Sequence, residues 1–249
     1  MNVKDYLAMA IDGARDAGIK LMSMYHKNPQ SFTSEETIAA KIEAQSILIH
    51  QLLKSDFPVL SELGAQVNYE ERKDWDYFWM IDPLNGQDSF KEHKDEFTVN
   101  VALIYKEEPV LGVVYAPALD KLFFGGKEFG AYMDENMEKE HRLEIFKNKT
   151  DTLRLVTSPK GLSPKAKKYY EPLGDVETIT MDSSLQWMLL AESRADVYAF
   201  FEESWEWNTA APHAILKALN LDLKTIHNKN ILTYNKLNLK NTDIIVEVE

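Results

Sequence analysis

Residues 79–90 read Trp-Met-Ile-Asp-Pro-Leu-Asn-Gly-Gln-Asp-Ser-Phe, and this stretch decides the fold. The apolar run Phe78, Trp79, Met80, Ile81 predicts a buried strand that ends at Asp82-Pro83. Asn85-Gly86 predicts a tight turn directly after it. Two arrangements satisfy the pattern. Asn-Gly between apolar runs is the short-range signature of a two-residue hairpin. A strand that ends in a carboxylate and turns at a Gly also suits a metal or phosphate site. Rigid backbone holds the carboxylate, and the N–H groups after the Gly can face an anion.

Outward from this stretch, two helical patterns precede it. Val3 to Tyr25 carries Leu7, Ala10, Ile11, Ala14, Leu21 and Met22 near helical spacing. Thr37 to Lys54 repeats this with Ile38, Ile42, Ile47, Leu48 and Leu52. Both predict amphipathic helices packed on a sheet, with Lys27 to Glu36 as a loop or short hairpin between them. Pro58 to Met133 is strand-like, with β-branched and aromatic runs broken by Gly, Pro and charged turns. After Leu153 strands and helices alternate. Strands are expected at 153–157, 176–181 and 195–201, and helices at 164–170, 183–192 and 208–219. The pattern predicts an α+β first part, residues 1–149, with a large antiparallel sheet and the metal-site motif. An α/β second part, 150–249, follows, with the boundary at the turn from Lys147 to Thr152.

The chain has 249 residues, 45% of them hydrophobic, enough for one large domain or two packed subdomains with a sizeable core. Its net charge of −12 argues against nucleic-acid polymers and anionic membranes as partners, but not against a small phosphorylated ligand met by a local positive site. There is no Cys, which excludes disulfides and thiolate metal sites. No signal-peptide pattern and no bilayer-length apolar run are visible, so a cytoplasmic chain without membrane insertion is expected. The sequon Asn148-Lys149-Thr150 carries no meaning without secretion.

Further segments join the opening motif. They are Pro58 to Glu62 (PVLSE), Phe97 to Ile104 (FTVNVALI), Pro109 to Pro117 (PVLGVVYAP), Ser183-Ser184-Leu185, Ala191 to Tyr198, Glu206 to Ala211 (EWNTAA) and Tyr234-Asn235-Lys236. In this order they resemble the inositol monophosphatase family of Mg-dependent, lithium-sensitive phosphomonoesterases, and most of all its CysQ-type 3'(2'),5'-bisphosphate nucleotidase branch. The resemblance spans nearly the whole chain. It implies a layered α/β sandwich of alternating helix and sheet layers.

The resemblance also implies a site. Its metal positions fall on Glu62, Asp82, the Leu84 carbonyl, Asn85 and Asn208, of which only Glu62 and Asp82 keep the family carboxylate. The water-activating Thr falls on Gln87, and its Asp partner on Lys41. On the substrate side the implied positions are Gly86, Gln87, Asp88, Ser183 and Gln186. The phosphate-binding Lys is replaced by Gln186, a family Arg falls near Phe200, and a family Gly falls on Asp182. Glu62 and Asp82 against Lys41 leave a net charge of −1, which cannot neutralise two or three divalent cations. An amide at Gln87 cannot relay a proton near neutral pH. Mg binding is therefore expected to be weak or absent, and catalysis impaired. With the cations lost, the Lys41 ammonium is expected to take the place of a metal between Glu62 and Asp82, the alternative being a solvent-facing lysine.

Other residues read as structural. His93 and His213 are single histidines without ligand spacing. Trp205 and Trp207 are expected to pack around Asn208, itself expected to cap the last long helix. Glu70-Glu71-Arg72-Lys73 reads as a solvated turn, and Lys147 and Lys149 as linker charge. Three functions compete: a bisphosphate nucleotidase with impaired activity, an active inositol or sugar phosphate phosphatase, and a silent descendant that binds a ligand or partner. A homodimer or pairing with an active paralogue belongs to the last. A deliberate knockout is disfavoured because the changes scatter from residue 41 to 200.

Overall fold

The structure is a computed structural model that describes residues 3–27, 30–64, 67–136, 139–147 and 152–248. Two sheets organise it. The first holds β1 (Val59–Ser61), β2 (Tyr77–Asn85), β3 (Thr98–Tyr105), β4 (Glu108–Ala116), β5 (Lys121–Gly126), β6 (Gly130–Glu135) and β7 (Lys139–Arg142), in sequence order. All its pairings are antiparallel except β1 with β2. The second runs β11-β12-β10-β8-β9, with β8 (Leu153–Thr157), β9 (Val176–Thr180), β10 (Val197–Phe200), β11 (Lys224–Thr225) and β12 (Ile244–Glu247). Part of the expected boundary turn, and the sequon, lie outside the described residues.

Helices fill the spaces on either side of these sheets. α1 (Val3–Tyr25) and α2 (Ser34–Leu52) cover one face of the first sheet, where Trp79, Ile81, Val99, Val101 and Leu103 meet Ala10, Ala14, Leu21 and Leu48. The alternate residues Phe78, Met80, Ala102 and Ile104 point the other way, onto α7 (Glu206–Lys217) and α6 (Leu185–Ala191). That cluster also takes in Val156, Tyr198, Ile244 and Val246 of the second sheet. The outer face of this sheet is closed by α5 (Pro164–Tyr170), through Ala166 and Tyr170 against Leu155, Val197 and Ile245. The result is the layered α/β sandwich that the sequence predicts. Because β2 and β3 are covered on both faces, they read as continuous apolar runs rather than as alternation. α7 lies so close to β4 that a Cβ on Gly112 would sit 2.3 Å from the Ala211 carbonyl oxygen.

Two helix readings change. α2 starts at Ser34, not Thr37, because the Thr33 side chain caps Glu36 N while Glu36 caps Thr33 N, a Thr-x-x-Glu box present in the sequence. Its buried face is Thr37, Ala40, Lys41, Ala44, Leu48 and Leu52, whereas Ile38 and Ile42 stand 48% and 51% exposed. The expected apolar stripe is thus rotated, and it carries a lysine inward.

Candidate functional site

β2 delivers the site. Regular pairing with β3 shifts register between Asp82 and Asn85, where Pro83 has no N–H to give the ladder. Gly86 follows in the left-handed region, at φ 81°, and starts the short helix α4 (Gln87–Lys91). The plain two-residue hairpin is therefore corrected: β2 and β3 are joined through a helical turn. Leu84 is buried in the cluster under α1 and α2.

The Asp82 carboxylate is 1% exposed and meets three donors. Its Oδ2 accepts from Asn85 Nδ2 at 2.9 Å and from Asn208 Nδ2 at 2.8 Å. Its Oδ1 has no hydrogen bond and faces the Lys41 ammonium at 3.4 Å. Lys41, 2% exposed on α2, also donates to Glu62 Oε2. The solvent-facing lysine is overturned. Burial by itself pushes the Lys41 ammonium down, but the charges of Asp82 and Glu62 outweigh it and its pKa is raised. It stays protonated at neutral pH.

Asn208 is the third residue of α7, not its cap. The N-cap is Trp205, whose backbone N–H donates to Asn208 Oδ1 at 2.8 Å. That N–H can only donate, so the Asn208 amide must turn its NH2 to Asp82. Trp205 and Trp207 stack at 5.2 Å beside it. Asn85 Oδ1 is engaged as well, accepting from Ser184 Oγ at 3.2 Å. Ser184 also accepts from Asn100 Nδ2 at 2.8 Å and approaches the Asn208 carbonyl at 3.5 Å. Pro212, four residues on, lacks the N–H that would otherwise bind that carbonyl.

A Mg ion needs a tight octahedron of oxygens. Here both amides aim N–H groups at Asp82, and an ammonium stands on its other oxygen. Among the described residues no three His, Cys, Asp or Glu side chains could hold a metal together. The donor set as it stands does not fit Mg.

The implied substrate residues divide. Gly86, Gln87 and Asp88 line a cleft of about 580 Å³ with Lys94, Lys160, Asp182 and Glu202. Lys160 crosses it to Asp88 at 3.1 Å. Asp182 accepts from Ser89 Oγ and takes Glu96 Oε2 on its backbone N–H. Ser183 and Gln186 are buried and do not line this cleft, and Phe200 packs on Trp187 and Tyr198.

Several side readings are settled by packing. His93 lies against Tyr25 and Phe32. His213 is buried between Tyr234 OH at 3.0 Å and Asp222 at 3.4 Å, and burial lowers its pKa. Arg72 is corrected: it ends the helix α3 (Tyr69–Arg72), is 2% exposed, and donates to Asn235 Oδ1 and to the carbonyls of Lys236 and Leu237. Glu206 was not singled out in the sequence. It is fully buried and accepts from the backbone N–H groups of Asn235 and Lys236 and from Lys236 Nζ. Lys149 lies outside the described residues.

The chain belongs to the inositol monophosphatase family, whose sequence profile matches residues 2–247. Within it, the chain is 34% identical over 212 residues to the 3'(2'),5'-bisphosphate nucleotidase CysQ of Salmonella typhimurium, covering 82% of this chain and 84% of the relative. The Escherichia coli K12 CysQ is 33% identical over the same length. The crystal structure of CysQ from Bacteroides thetaiotaomicron superposes with a TM-score of 0.91 at 34% identity, covering 98% of this chain and 97% of that one. A staphylococcal IMPase-II structure, at 17% identity and a TM-score of 0.79, shares the fold. No helix among the described residues is long and apolar enough to cross a membrane.

Proposed function

We propose that this chain is a catalytically silent descendant of a CysQ-type bisphosphate nucleotidase, with a scaffold that serves binding rather than hydrolysis. One observation carries the reading: the space beside Asp82 is filled by the Lys41 ammonium and by two amide NH2 groups. These donors do for the buried carboxylate what cations would do. Were Asn208 an aspartate, its oxygen would stand 2.8 Å from Asp82 Oδ2 with the other oxygen tied to Trp205. Two carboxylates at that separation need a proton or a cation between them. The amide removes the need. Mg is then bound weakly or not at all, and Gln87 offers no hydroxyl for activating water.

The cleft beside Gly86 keeps room for a small phosphorylated molecule, though its four carboxylates outnumber its two lysines. Residues 1–149 and 150–249 act in this reading as two subdomains in the cytoplasm, with the cleft where they meet. A second copy, or an active paralogue, is the protein partner it suggests. The deciding measurement is phosphate release from adenosine 3',5'-bisphosphate with millimolar Mg, beside an intact relative. No turnover above background is expected. Turnover near the enzyme median of about 10 s⁻¹ would overturn the reading, and tight Mg binding by calorimetry would do the same.

A further inference from the structure

Buried charges are ordinarily paired with an opposite charge. Arg72 is 2% exposed, yet among the described residues no carboxylate forms an ion pair with it. Its terminal nitrogens donate to neutral oxygens: Nη1 to Asn235 Oδ1 at 2.7 Å, and Nη2 to the carbonyls of Lys236 at 2.8 Å and Leu237 at 3.2 Å. Its Nε has no acceptor. Glu206 acts on Arg72 by charge, but burial outweighs it and lowers the guanidinium pKa. The Glu206 oxygens are themselves committed to Asn235 N, Lys236 N and Lys236 Nζ. A guanidinium stays charged at any ordinary pH, so Arg72 is a buried cation short of a counter-charge.

A second lone donor lies on the same cavity. The space between α3, the start of α7 and residues 237–239 measures about 660 Å³, and Arg72 and Trp207 both line it. Trp207 is 3% exposed, and its Nε1 also has no acceptor. Much of the remaining wall is apolar, with Trp205, Leu237 and Leu239, and Leu237 stands 75% exposed. The lining carboxylate, Glu62, is already paired with Lys41. This cavity shares no residue with the cleft beside Gly86.

We propose that this cavity binds a small carboxylate with an apolar body, its oxygens taken by the lone N–H groups of Arg72 and Trp207. A carboxylate supplies the counter-charge that Arg72 lacks, and it brings two acceptor oxygens to two unmatched donors. A free phosphate carries more oxygens than these donors satisfy and has no body to cover Leu237. Both N–H groups are shielded from bulk water, so solvent does not satisfy them. Entry therefore moves the rim, where the exposed Leu237 side chain changes rotamer freely. The apolar body then covers Leu237 and packs on Trp205, which removes apolar surface from water. The site uses neither Asp82 nor a cation, and it holds whether or not the chain hydrolyses a phosphate ester.

The test is calorimetric titration of the full chain with phenylacetate and with its uncharged counterpart phenylacetamide, beside NMR spectra of the indole N–H groups. Phenylacetate is expected to saturate one site, at least about tenfold more tightly than the amide, and to move the Trp207 indole signal, which Trp207→Phe identifies by its loss. Trp207→Phe keeps an aromatic ring without the donor and should weaken phenylacetate several-fold. Leu237→Glu changes an exposed side chain and sets a like charge at the rim, so it should weaken phenylacetate by about tenfold. Equal binding of acid and amide overturns the anionic class. Binding unmoved by Leu237→Glu overturns the location, and binding unmoved by Trp207→Phe overturns the indole contact. Displacement of phenylacetate by inorganic phosphate overturns the carboxylate assignment, and no saturation by millimolar phenylacetate overturns the site. Phosphate release by the chain would strike the silent-enzyme reading and leave this one standing.

Discussion

Two buried carboxylates lie at the start of α7, Glu206 on the helix itself and Asp82 on β2 against Asn208, and they are satisfied in opposite ways. Glu206 takes backbone N–H groups from Asn235 and Lys236, with the Lys236 ammonium at 2.6 Å. Asp82 takes side chains only: Lys41 from α2, Asn85 from the end of β2, and Asn208 from α7. Backbone donors arrive only when the loop that carries them folds, so Glu206 is a fixture of the fold. Side-chain donors on rigid elements can be exchanged one at a time while the frame stands. The Asp82 cluster thus keeps the architecture of a replaceable site, and here the donors occupy it.

The largest expected effect reverses that occupation. Combining Lys41→Asp, Asn85→Asp, Gln87→Thr and Asn208→Asp should restore Mg-dependent phosphate release by more than the summed gains of the single changes, because such groups act as a unit. Activity additive over the single variants would break the contrast drawn for Asp82.

Next comes the fixed carboxylate. Glu206→Ala leaves the backbone N–H groups of Asn235 and Lys236 without their acceptor and removes the partner of the partly exposed Lys236 ammonium. It should cost about 3–5 kcal/mol in urea unfolding, with no rescue by Mg. A loss below about 1 kcal/mol would show that this loop does not depend on Glu206.

Lys41→Ala should cost less, about 2–3 kcal/mol, because Glu62 is partly solvated and relaxes into water. Unlike Glu206→Ala, it should gain thermal stability on adding Mg, since a cation can replace the ammonium. A melting temperature indifferent to Mg would sink this half of the comparison. In the parent chain the Lys41 contribution is fully present below pH 10.5, its ordinary value. It fades only as the pH rises through the raised folded value.

The smallest effect is on pH. His213 is buried with its pKa below the ordinary 6.5. The unfolded chain then binds the proton more readily, so stability falls as the pH drops below 6.5. His213→Asn should flatten that slope by about 1 kcal/mol between neutral and mildly acidic conditions. An unchanged slope would place the acid sensitivity elsewhere.

Much of the frame was legible in the residues. The period in Val3–Tyr25 and the readings of a strand at Leu153–Thr157 and a helix at Pro164–Tyr170 match the observed elements in their bounds. The start of α2 was readable too, in Thr33 and Glu36, but apolar periodicity hid it by pointing to Ile38 and Ile42. Arg72 could not be read. In a run of charges it looks solvated, and its partner Asn235 lies 163 residues away. Glu206 had no local signal either, since the backbone groups that bind it lie 29 and 30 residues further along the chain.

The residues alone carry the succession of helices and strands and the carboxylate at the end of β2, while the resemblance to the family implies the substituted acidic positions. The first two follow from residue type and short-range period, which need no partner. Where the remaining charges went was settled by packing between distant elements. It turned Lys41 inward to Asp82, aimed the Asn208 NH2 at the same carboxylate by fixing its oxygen on Trp205 N–H, and made a helical turn of what could have been a hairpin by packing Ser183 and Glu96 against Gly86. The physical reason is range. Periodicity acts over a few residues, whereas a buried charge is settled by whichever donors the packed layers bring within hydrogen-bonding distance.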